Sequence, residues 1–379
     1  MKASPTHHLV ILLLAAGLLP LVSCAGLFTD PENSSEQSFE SDPEDYFRRA
    51  KEYFGNGEYA RARNQLNNYL KKKPNAWMAR LQMNYCDYYE GIERLKAGDL
   101  EGGRKLFRRG EAGLRKLWNG RLAKSTTETR LAPVQPWKAA MGIAMMLRGL
   151  GWADQLEIER KRRQLQSLPR LDETRERLVA EMREIEERRQ KNYAAAASLF
   201  ERLAAMENAP PDAIKNLAEL RLIQGRDEEA EAAFRRYLTI AQKSYETNKE
   251  LEKQFPEAFR IEKDRAIAEH FLKEKLESNV RKRVDVLVHL GLLAFQKKEY
   301  EKAVGYLEEA HSIRPDRLDI LLKMGRCYGE NRQYVEALKV LDEYIEKRSE
   351  KQHRFDDEIA EAYRLKTRYS RKQPKERKR

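Results

Sequence analysis

The sequence predicts an all-α protein whose helices pair and stack into a superhelical solenoid, with long helical inserts and a terminal capping helix. Apolar residues recur at spacings of three and four along most of the 379 residues, and runs that alternate between apolar and polar residues are missing. The helix-breaking residues glycine and proline number only 19 and 13. Segments of similar pattern also follow one another, which is typical of solenoids whose repeats bury apolar faces against each other.

Residues 1–23 are predicted to be an export signal. The stretch from Leu9 to Val22 is almost entirely apolar, which suits the core of a signal peptide, and it is shorter than the ~20 residues needed to span a bilayer. The residues Leu21-Val22-Ser23-Cys24 resemble the bacterial lipobox. The resemblance implies that the chain is cut before Cys24 and that acyl chains such as palmitate anchor this cysteine in a membrane. An ordinary secretory signal or a short N-terminal anchor helix is the alternative.

The residues after Cys24 favour one location and a flexible connection. In enterobacterial lipoproteins, an Asp directly after the lipidated cysteine is similar to the signal that retains a lipoprotein in the inner membrane. This chain has Ala25 at that position. The sequence therefore favours the periplasmic face of the outer membrane, if the cell has two membranes. Residues 24–43 are acidic and rich in serine, without a lysine or arginine, and this composition predicts a flexible tether.

The clearest repeats lie in the C-terminal half, in units that start at Val284 and Leu318. Both units carry small residues at positions 8 and 20 and a leucine at position 24: Gly291, Ala303 and Leu307 in the first, and Gly325, Ala337 and Leu341 in the second. These units resemble the tetratricopeptide repeat, a pair of antiparallel helices. Small residues at positions 8 and 20 let the two helices cross closely, and the leucine fills the space beside that contact.

Four further segments follow the same pattern. Units that start at Pro43 and Pro211 carry small residues at positions 8 and 20, namely Ala50, Ala62, Ala218 and Ala230. Residues 96–110 and 191–206 resemble the turn and second helix of degenerate repeats, whose first helices are longer than is usual. Repeats are therefore predicted along most of the chain that follows the tether.

The repeats are predicted to form two arrays. Residues 44–255 form the N-terminal array, and residues 256–370 hold the C-terminal pair of repeats, 284–347, between bridging and capping helices. The bridging segment is helical and broken near Pro256, and the capping helix closes the exposed core, as solenoids require. Residues 371–379 form a basic tail predicted to be disordered, which either attracts anionic lipid or only solubilises a frayed end.

A charged insert near residues 155–190 interrupts the N-terminal array. Leu171, Leu178 and Ile185 recur there at spacings of seven, which fits a short two-helix contact. The segment either forms a hairpin or is one elongated first helix, and we favour the elongated helix. The methionines of the preceding apolar helix are Met141, Met145 and Met146. Core packing explains this cluster more simply than an adaptable binding face.

The net charge of +12 and the charged fraction of 35% limit the kinds of partner. Because the chain is predicted to be exported, we expect no nucleic-acid partner, and the basic excess points to phospholipid headgroups, wall polymers or an acidic protein. The simpler interpretation, that lysine and arginine solvate the helix faces, is favoured. Cys86 and Cys327 lie in separate helical segments, so both are predicted to be buried thiols without a disulfide or a zinc site.

The tetratricopeptide resemblance implies a concave groove that binds a peptide or helix of a protein partner. Positions 2, 5, 9, 12 and 13 of each first helix line that groove. The candidate partner-binding residues are therefore Phe47, Lys51, Phe54, Lys215, Glu219, Leu292, Phe295 and Arg326. The three in the first repeat form a predicted apolar-plus-cation pocket. The Lys/Asn clamp with which chaperone-binding members grip a C-terminal carboxylate is missing, which disfavours such a ligand.

Catalysis is not expected. Four histidines follow Cys24, and the sequence contains no HExxH, GxSxG or phosphate-binding GK[ST] motif. We therefore predict no catalytic residue, no metal site and no cofactor.

The predicted function is that of a membrane-anchored scaffold or adaptor in the assembly of a cell-envelope complex. Residues 45–66, DYFRRAKEYFGNGEYARARNQL, resemble the opening repeat of the lipoprotein subunit that serves outer-membrane β-barrel assembly. The length, the charged insert and the basic tail differ from that family. The alternatives are a binder of wall polymer or anionic lipid through a basic surface, and an accessory regulator of a cell-wall enzyme.

Overall fold

The computed structural model describes residues 42–122, 136–169, 173–206, 209–258, 262–351 and 357–373. All regular secondary structure in this part of the chain is helical, which confirms the predicted all-α class. The predicted signal peptide, Cys24, the tether up to residue 41 and the tail from residue 374 lie outside the described residues. Among the described helices, none combines the length and the apolar character that a membrane span requires.

The described residues form thirteen α-helices. In chain order they are α1 Pro43–Gly55, α2 Tyr59–Lys72, α3 Trp77–Lys96, α4 Leu100–Leu122, α5 Pro136–Ser167, α6 Thr174–Ala204, α7 Pro211–Ile223, α8 Asp227–Ala258, α9 Glu262–Gln296, α10 Tyr300–Ile313, α11 Leu318–Glu330, α12 Tyr334–Lys351 and α13 Asp357–Lys372. Proline begins α1, α5 and α7, in the first turn, where its missing N–H costs no helical hydrogen bond.

Contacts divide the chain into two compact units. The N-terminal unit ends at Leu220 and the C-terminal unit begins at Arg221, so the division falls inside α7. The division predicted from the sequence lay at residue 255. The difference arises because α8 packs along α9, and Nζ of Lys297, the residue after α9, lies 2.6 Å from a carboxylate oxygen of Glu231 in α8. The helix α8 therefore belongs to the C-terminal unit.

Small residues bring the paired helices of the N-terminal unit together. Ala50 of α1 and Ala62 of α2 are fully buried in one apolar cluster. A Cβ atom on Gly91 of α3 would lie 2.7 Å from the ring of Phe107 in α4, so the close approach of these helices needs glycine. Counted from Asn84, these two residues take positions 8 and 24, and α3 with α4 forms a complete repeat.

The C-terminal repeats show the packing that their pattern predicts. A Cβ atom on Gly291 would lie 2.8 Å from the side chain of Leu307, and one on Gly325 would lie 2.7 Å from that of Leu341. Both leucines are fully buried. The predicted close crossing at position 8, with a leucine at position 24 beside it, is confirmed in both repeats.

The charged insert is a hairpin of two helices, and the elongated-helix prediction is wrong. Along α5 and α6, Asp154 pairs with Arg188 at 2.7 Å and Lys161 pairs with Glu181 at 2.5 Å, in antiparallel order. Pro169 cannot continue α5. Arg175 of α6 donates hydrogen bonds to the carbonyls of Leu165 and Leu168, at 2.8 and 2.9 Å, and so satisfies the end of α5. Leu171 lies outside the described residues.

Several buried side chains match the sequence predictions. The three methionines of α5 are buried, Met146 completely, which confirms that the cluster belongs to the core. Cys86 and Cys327 are free and buried, and burial raises the pKa of each thiol to about 12. The thiols are therefore protonated and unreactive at neutral pH.

The predicted terminal capping helix is α13. Its inner face packs on the last repeat through four buried residues, Ile359, Ala362, Leu365 and Tyr369. The hydroxyl of Tyr369 lies 3.2 Å from a carboxylate oxygen of Glu330 in α11. The helix α13 therefore covers the apolar core of the C-terminal unit and turns a polar side outward, as the ends of solenoids require.

The turn between paired helices uses one backbone conformation in five repeats. At position 15 the chain takes a left-handed φ, between 62° and 84°, in Gly57, Gly98, Gly225, Lys298 and Arg332. Left-handed backbone disfavours residues with a Cβ atom by roughly 1–2 kcal/mol. The first three turns therefore use the favoured residue, and the last two carry local strain that the repeat pattern alone does not reveal.

We expect Arg332→Gly to raise the free energy of unfolding by about 1 kcal/mol and Gly57→Ala to lower it by about as much. Gly305→Ala is the matched control, because Gly305 is helical, exposed and has open space around its Cα. In a helix alanine is favoured over glycine by about 0.5–1 kcal/mol, so this change should stabilise the protein. Urea unfolding followed by circular dichroism measures all three. The same sign for both glycine-to-alanine changes would contradict the turn argument.

Candidate functional site

The first repeat presents an aromatic ring with a cation over it. Phe47 and Lys51, four residues apart on α1, share one helix face, and the Lys51 Nζ lies 4.7 Å from the centroid of the Phe47 ring. The Phe47 ring also contacts the ring of Tyr69 in α2, at 5.0 Å between centroids. Phe47 is half-buried and Lys51 is exposed. The pair therefore offers an apolar surface beside a positive charge, in the arrangement of a cation–π contact.

Phe54 belongs to an aromatic cluster that it forms with Tyr59 and Tyr89. Its ring meets both tyrosines edge-on at 5.4 Å, and the tyrosine rings stack at 5.3 Å. All three residues are half-buried. Because Phe47 and Phe54 are seven residues apart, about two helical turns, they lie on the same side of α1 with Lys51 between them. The structure thus brings the three predicted residues of the first repeat to one face.

Tyr89 of α3 belongs to this aromatic cluster, Tyr85 lies on the same helix, and neither was predicted as a site residue. Tyr85 and Tyr89 are one helical turn apart, and the Tyr85 hydroxyl donates a hydrogen bond of 3.1 Å to the carbonyl of Lys138 in α5. Burial raises the pKa of both phenols, so both stay protonated. Counted from Asn84, Tyr85 takes the groove position 2. The repeat pattern that assigns Tyr85 to the groove was present in the sequence. Because α3 begins seven residues before Asn84, the first position of this repeat could not be recognised from the start of the helix.

Lys215 and Glu219 of α7 take part in a buried ion-pair network. Glu219 lies 2.5 Å from the guanidinium of Arg148 in α5 and 3.2 Å from Lys215 Nζ. Burial by itself lowers the pKa of Arg148. The charge of Glu219 and its hydrogen bond, together with the neighbouring Tyr88 and Tyr193, outweigh burial and raise this pKa above its usual value, so the guanidinium stays ionised. Arg148 also donates a hydrogen bond to Asn216. The carboxylate of Glu219 is thus held by the fold.

The C-terminal candidates lie on α9 and α11. Leu292 and Phe295 pack partly buried against the core, and the Phe295 ring meets Tyr300 at 5.5 Å. Arg326 forms an ion pair with Glu361 of α13. Within the C-terminal unit this cation is therefore already neutralised by the capping helix, whereas Lys51 of the first repeat forms no ion pair with another residue that the structure describes.

No group of histidine, cysteine, aspartate and glutamate side chains suited to hold a metal ion occurs among the residues that the structure describes.

Family comparisons identify the repeats. Residues 47–83, and separately residues 187–246 and 294–354, match family models of the tetratricopeptide repeat. The chain therefore contains tetratricopeptide repeats, which confirms the family resemblance of the units within these residues; the predicted degenerate repeat at residues 96–110 lies outside them. Repeats of this family suggest a scaffold for protein–protein interaction. A comparison with curated proteins gives no match.

Solved structures with similar helical repeats include three that align with most of this chain. The TPR2AB domain of yeast Sti1 in its complex with pHSP90 shares 11% identity at a TM-score of 0.28, over 86% of this chain and 98% of that one. The assembly chaperone of RpL4, Acl4, shares 12% at 0.30, over 88% and 96%. The P58(IPK) TPR domain shares 15% at 0.22, over 88% and 100%. TM-scores at this level do not establish a common arrangement of the helices.

Proposed function

We propose that this chain, which contains tetratricopeptide repeats, is a membrane-anchored scaffold of the bacterial envelope that binds a protein partner through its first repeat. The observation that carries the proposal is the half-buried ring of Phe47 with the exposed Lys51 ammonium 4.7 Å from its centroid. Phe54 lies on the same side of α1. An aromatic surface of this kind, partly desolvated and next to a charge, is the usual core of a protein-binding site.

The chemistry of the surface favours a particular partner. An apolar side chain of the partner can cover the exposed part of the Phe47 ring. A carboxylate next to that side chain can pair with the ammonium group of Lys51. Tyr85 and Tyr89 offer further apolar area in the same unit. The matching ligand is therefore a peptide or helix in which an apolar residue neighbours Asp or Glu.

The location of the scaffold follows from its N-terminus. The likeness of residues 21–24 to a lipobox supports attachment through acyl chains on Cys24, and Ala25 favours the periplasmic face of the outer membrane in a cell with two membranes. The resemblance of residues 45–66 to the opening repeat of the lipoprotein of β-barrel assembly supports a role in building an envelope complex.

Replacement of Cys24 by serine should release the protein from the membrane fraction.

A photo-crosslinking amino acid in place of Lys51 should capture one envelope protein from membranes of the native cells. The same amino acid in place of Lys105 is the matched control, since Lys105 is an exposed lysine of the same unit on α4. Adding Phe47→Ala should weaken capture from position 51 by roughly tenfold or more, as expected for an aromatic anchor. The Tm is measured alongside, because Phe47 also packs on Tyr69.

Two outcomes would count against the first repeat as the binding surface. One is equal capture from positions 51 and 105, and the other is capture that Phe47→Ala leaves unchanged at an unaltered Tm. Capture that fades steeply with rising ionic strength would favour the alternative of binding through net charge, because screening weakens exposed charge pairs far more than apolar contacts.

A further inference from the structure

The hairpin of α5 and α6 continues beyond the start of the helix on which α5 packs. Arg104, near the start of α4, pairs with Asp154 of α5 at 3.0 Å. Because α4 begins at Leu100 and runs antiparallel to α5, α5 continues past the start of α4 by about nine residues, or roughly 14 Å. The distal part of the hairpin, residues 160–169 and 173–183, therefore lies beyond the packing of α5 on α4.

One side of this distal part carries an uncovered apolar patch. Leu178 and Ile185 are buried, whereas Val179 is half-buried and Ala180 is exposed. The last two line a shallow surface depression together with Leu165 of α5. Two paired helices cover only the sides that face each other, so this patch remains open to a further helix.

Opposite charges lie at the two ends of the patch. Glu176 and Arg183 are exposed, line the same depression and share one side of α6, since they are seven residues apart. Neither forms an ion pair with another residue that the structure describes. The helix dipole favours Glu176 in the first turn of α6, but it does not account for Arg183 two turns later. We call Glu176, Val179, Ala180 and Arg183 the distal face of α6.

The order of these residues makes the distal face complementary to itself. In two antiparallel copies of α6 with a two-fold axis between Val179 and Ala180, Glu176 of each copy faces Arg183 of the other. Two ion pairs then flank one small apolar contact. The short side chain of Ala180 lets the helices approach closely. In a parallel arrangement each charge would meet its own copy, so the charges select the antiparallel one.

We propose that the distal face of α6 binds the same face of a second copy of this chain and forms an antiparallel dimer with two-fold symmetry. The argument for a second copy is the charge complementarity of the face with itself, which binding to a different protein would not require. The contact is small, so the dissociation constant of the dimer is expected to be micromolar or higher. The pairing does not involve the first repeat, and it is therefore independent of the proposed binding surface around Phe47.

Sedimentation equilibrium of the full chain in density-matched detergent measures this dimerisation. Arg183→Glu and Glu176→Arg each place like charges opposite one another twice, so each should raise the dissociation constant at least tenfold. An equimolar mixture of the two variants should dimerise as the unchanged protein does, because every Glu then faces an Arg. Arg108→Glu is the matched control, since Arg108 is exposed on α4 and the change in net charge equals that of Arg183→Glu. It should leave the dissociation constant unchanged.

Four results would overturn the inference. The first is a full chain that stays monomeric at every concentration measured. The second is a dimer that Arg183→Glu weakens no more than Arg108→Glu does. The third is a mixture of the two charge variants that stays monomeric although each variant keeps the Tm of the unchanged protein. The fourth is a photo-crosslinking amino acid in place of Ala180 that captures a different protein, and no second copy, from native membranes.

Discussion

Replacing Arg148 with methionine is expected to lower the free energy of unfolding by about 3 kcal/mol. Arg148 of α5 is 6% exposed, and its Nη2 atom lies 2.5 Å from Oε2 of Glu219, which is 4% exposed. Without the guanidinium, a buried carboxylate loses its closest cation, which typically costs about 3–5 kcal/mol. Lys215 remains 3.2 Å from the other carboxylate oxygen, so the effect should fall at the lower end of that range.

Urea unfolding of the full chain, followed by circular dichroism, measures this loss. Arg148→Met/Glu219→Leu removes both charges at similar volume and should restore most of the stability, because buried ion pairs add little beyond their own desolvation. Arg108→Met is the control for an exposed arginine in the same unit and should change stability by less than about 0.5 kcal/mol. If the single and double variants lose the same amount, lost packing and not an unpaired charge is the cause.

The core of the repeats could be predicted from sequence because its contacts are local. A glycine such as Gly325 and a leucine sixteen residues later, Leu341, belong to one helical pair, and the pair repeats. The hairpin of α5 and α6 was harder to predict. Its apolar residues recur as in one continuous helix, and the hydrogen bonds of Arg175 to the end of α5 are formed only after the chain has turned.

The candidate site could be predicted in part for the same reason. The proximity of Phe47 and Lys51 follows from their spacing on one helix. The aromatic cluster around Phe54 depends on Tyr89 of α3, which reaches it from a different repeat. Glu219 fitted a groove position, but a charged residue in a repeat pattern looks the same whether it faces solvent or a buried arginine on another helix. Its partner Arg148 is 71 residues away in sequence.

Truncation of Tyr369 to alanine is expected to detach α13 from the C-terminal unit. The tyrosine is fully buried, and a Cβ atom on Gly329 of α11 would lie only 2.0 Å from a ring carbon, so α11 and Tyr369 are in direct contact. Loss of a buried aromatic side chain costs about 3–5 kcal/mol. A terminal helix of a solenoid is stabilised by its neighbours on one side only, so a loss of this size should exceed the local stability of α13.

Hydrogen exchange of the full chain distinguishes local release from general destabilisation. In Tyr369→Ala the amides of α13 should lose most of their protection, while those of α3 and α4 should keep theirs.

Gly329→Ala approaches the same contact from α11 and should cost about 1–3 kcal/mol through overpacking. In a Tyr369→Leu background the side chain that faces residue 329 is smaller. There Gly329→Ala should lower the free energy of unfolding by far less than it does alone, because the two positions share one contact. Additive losses would show that the two positions act separately.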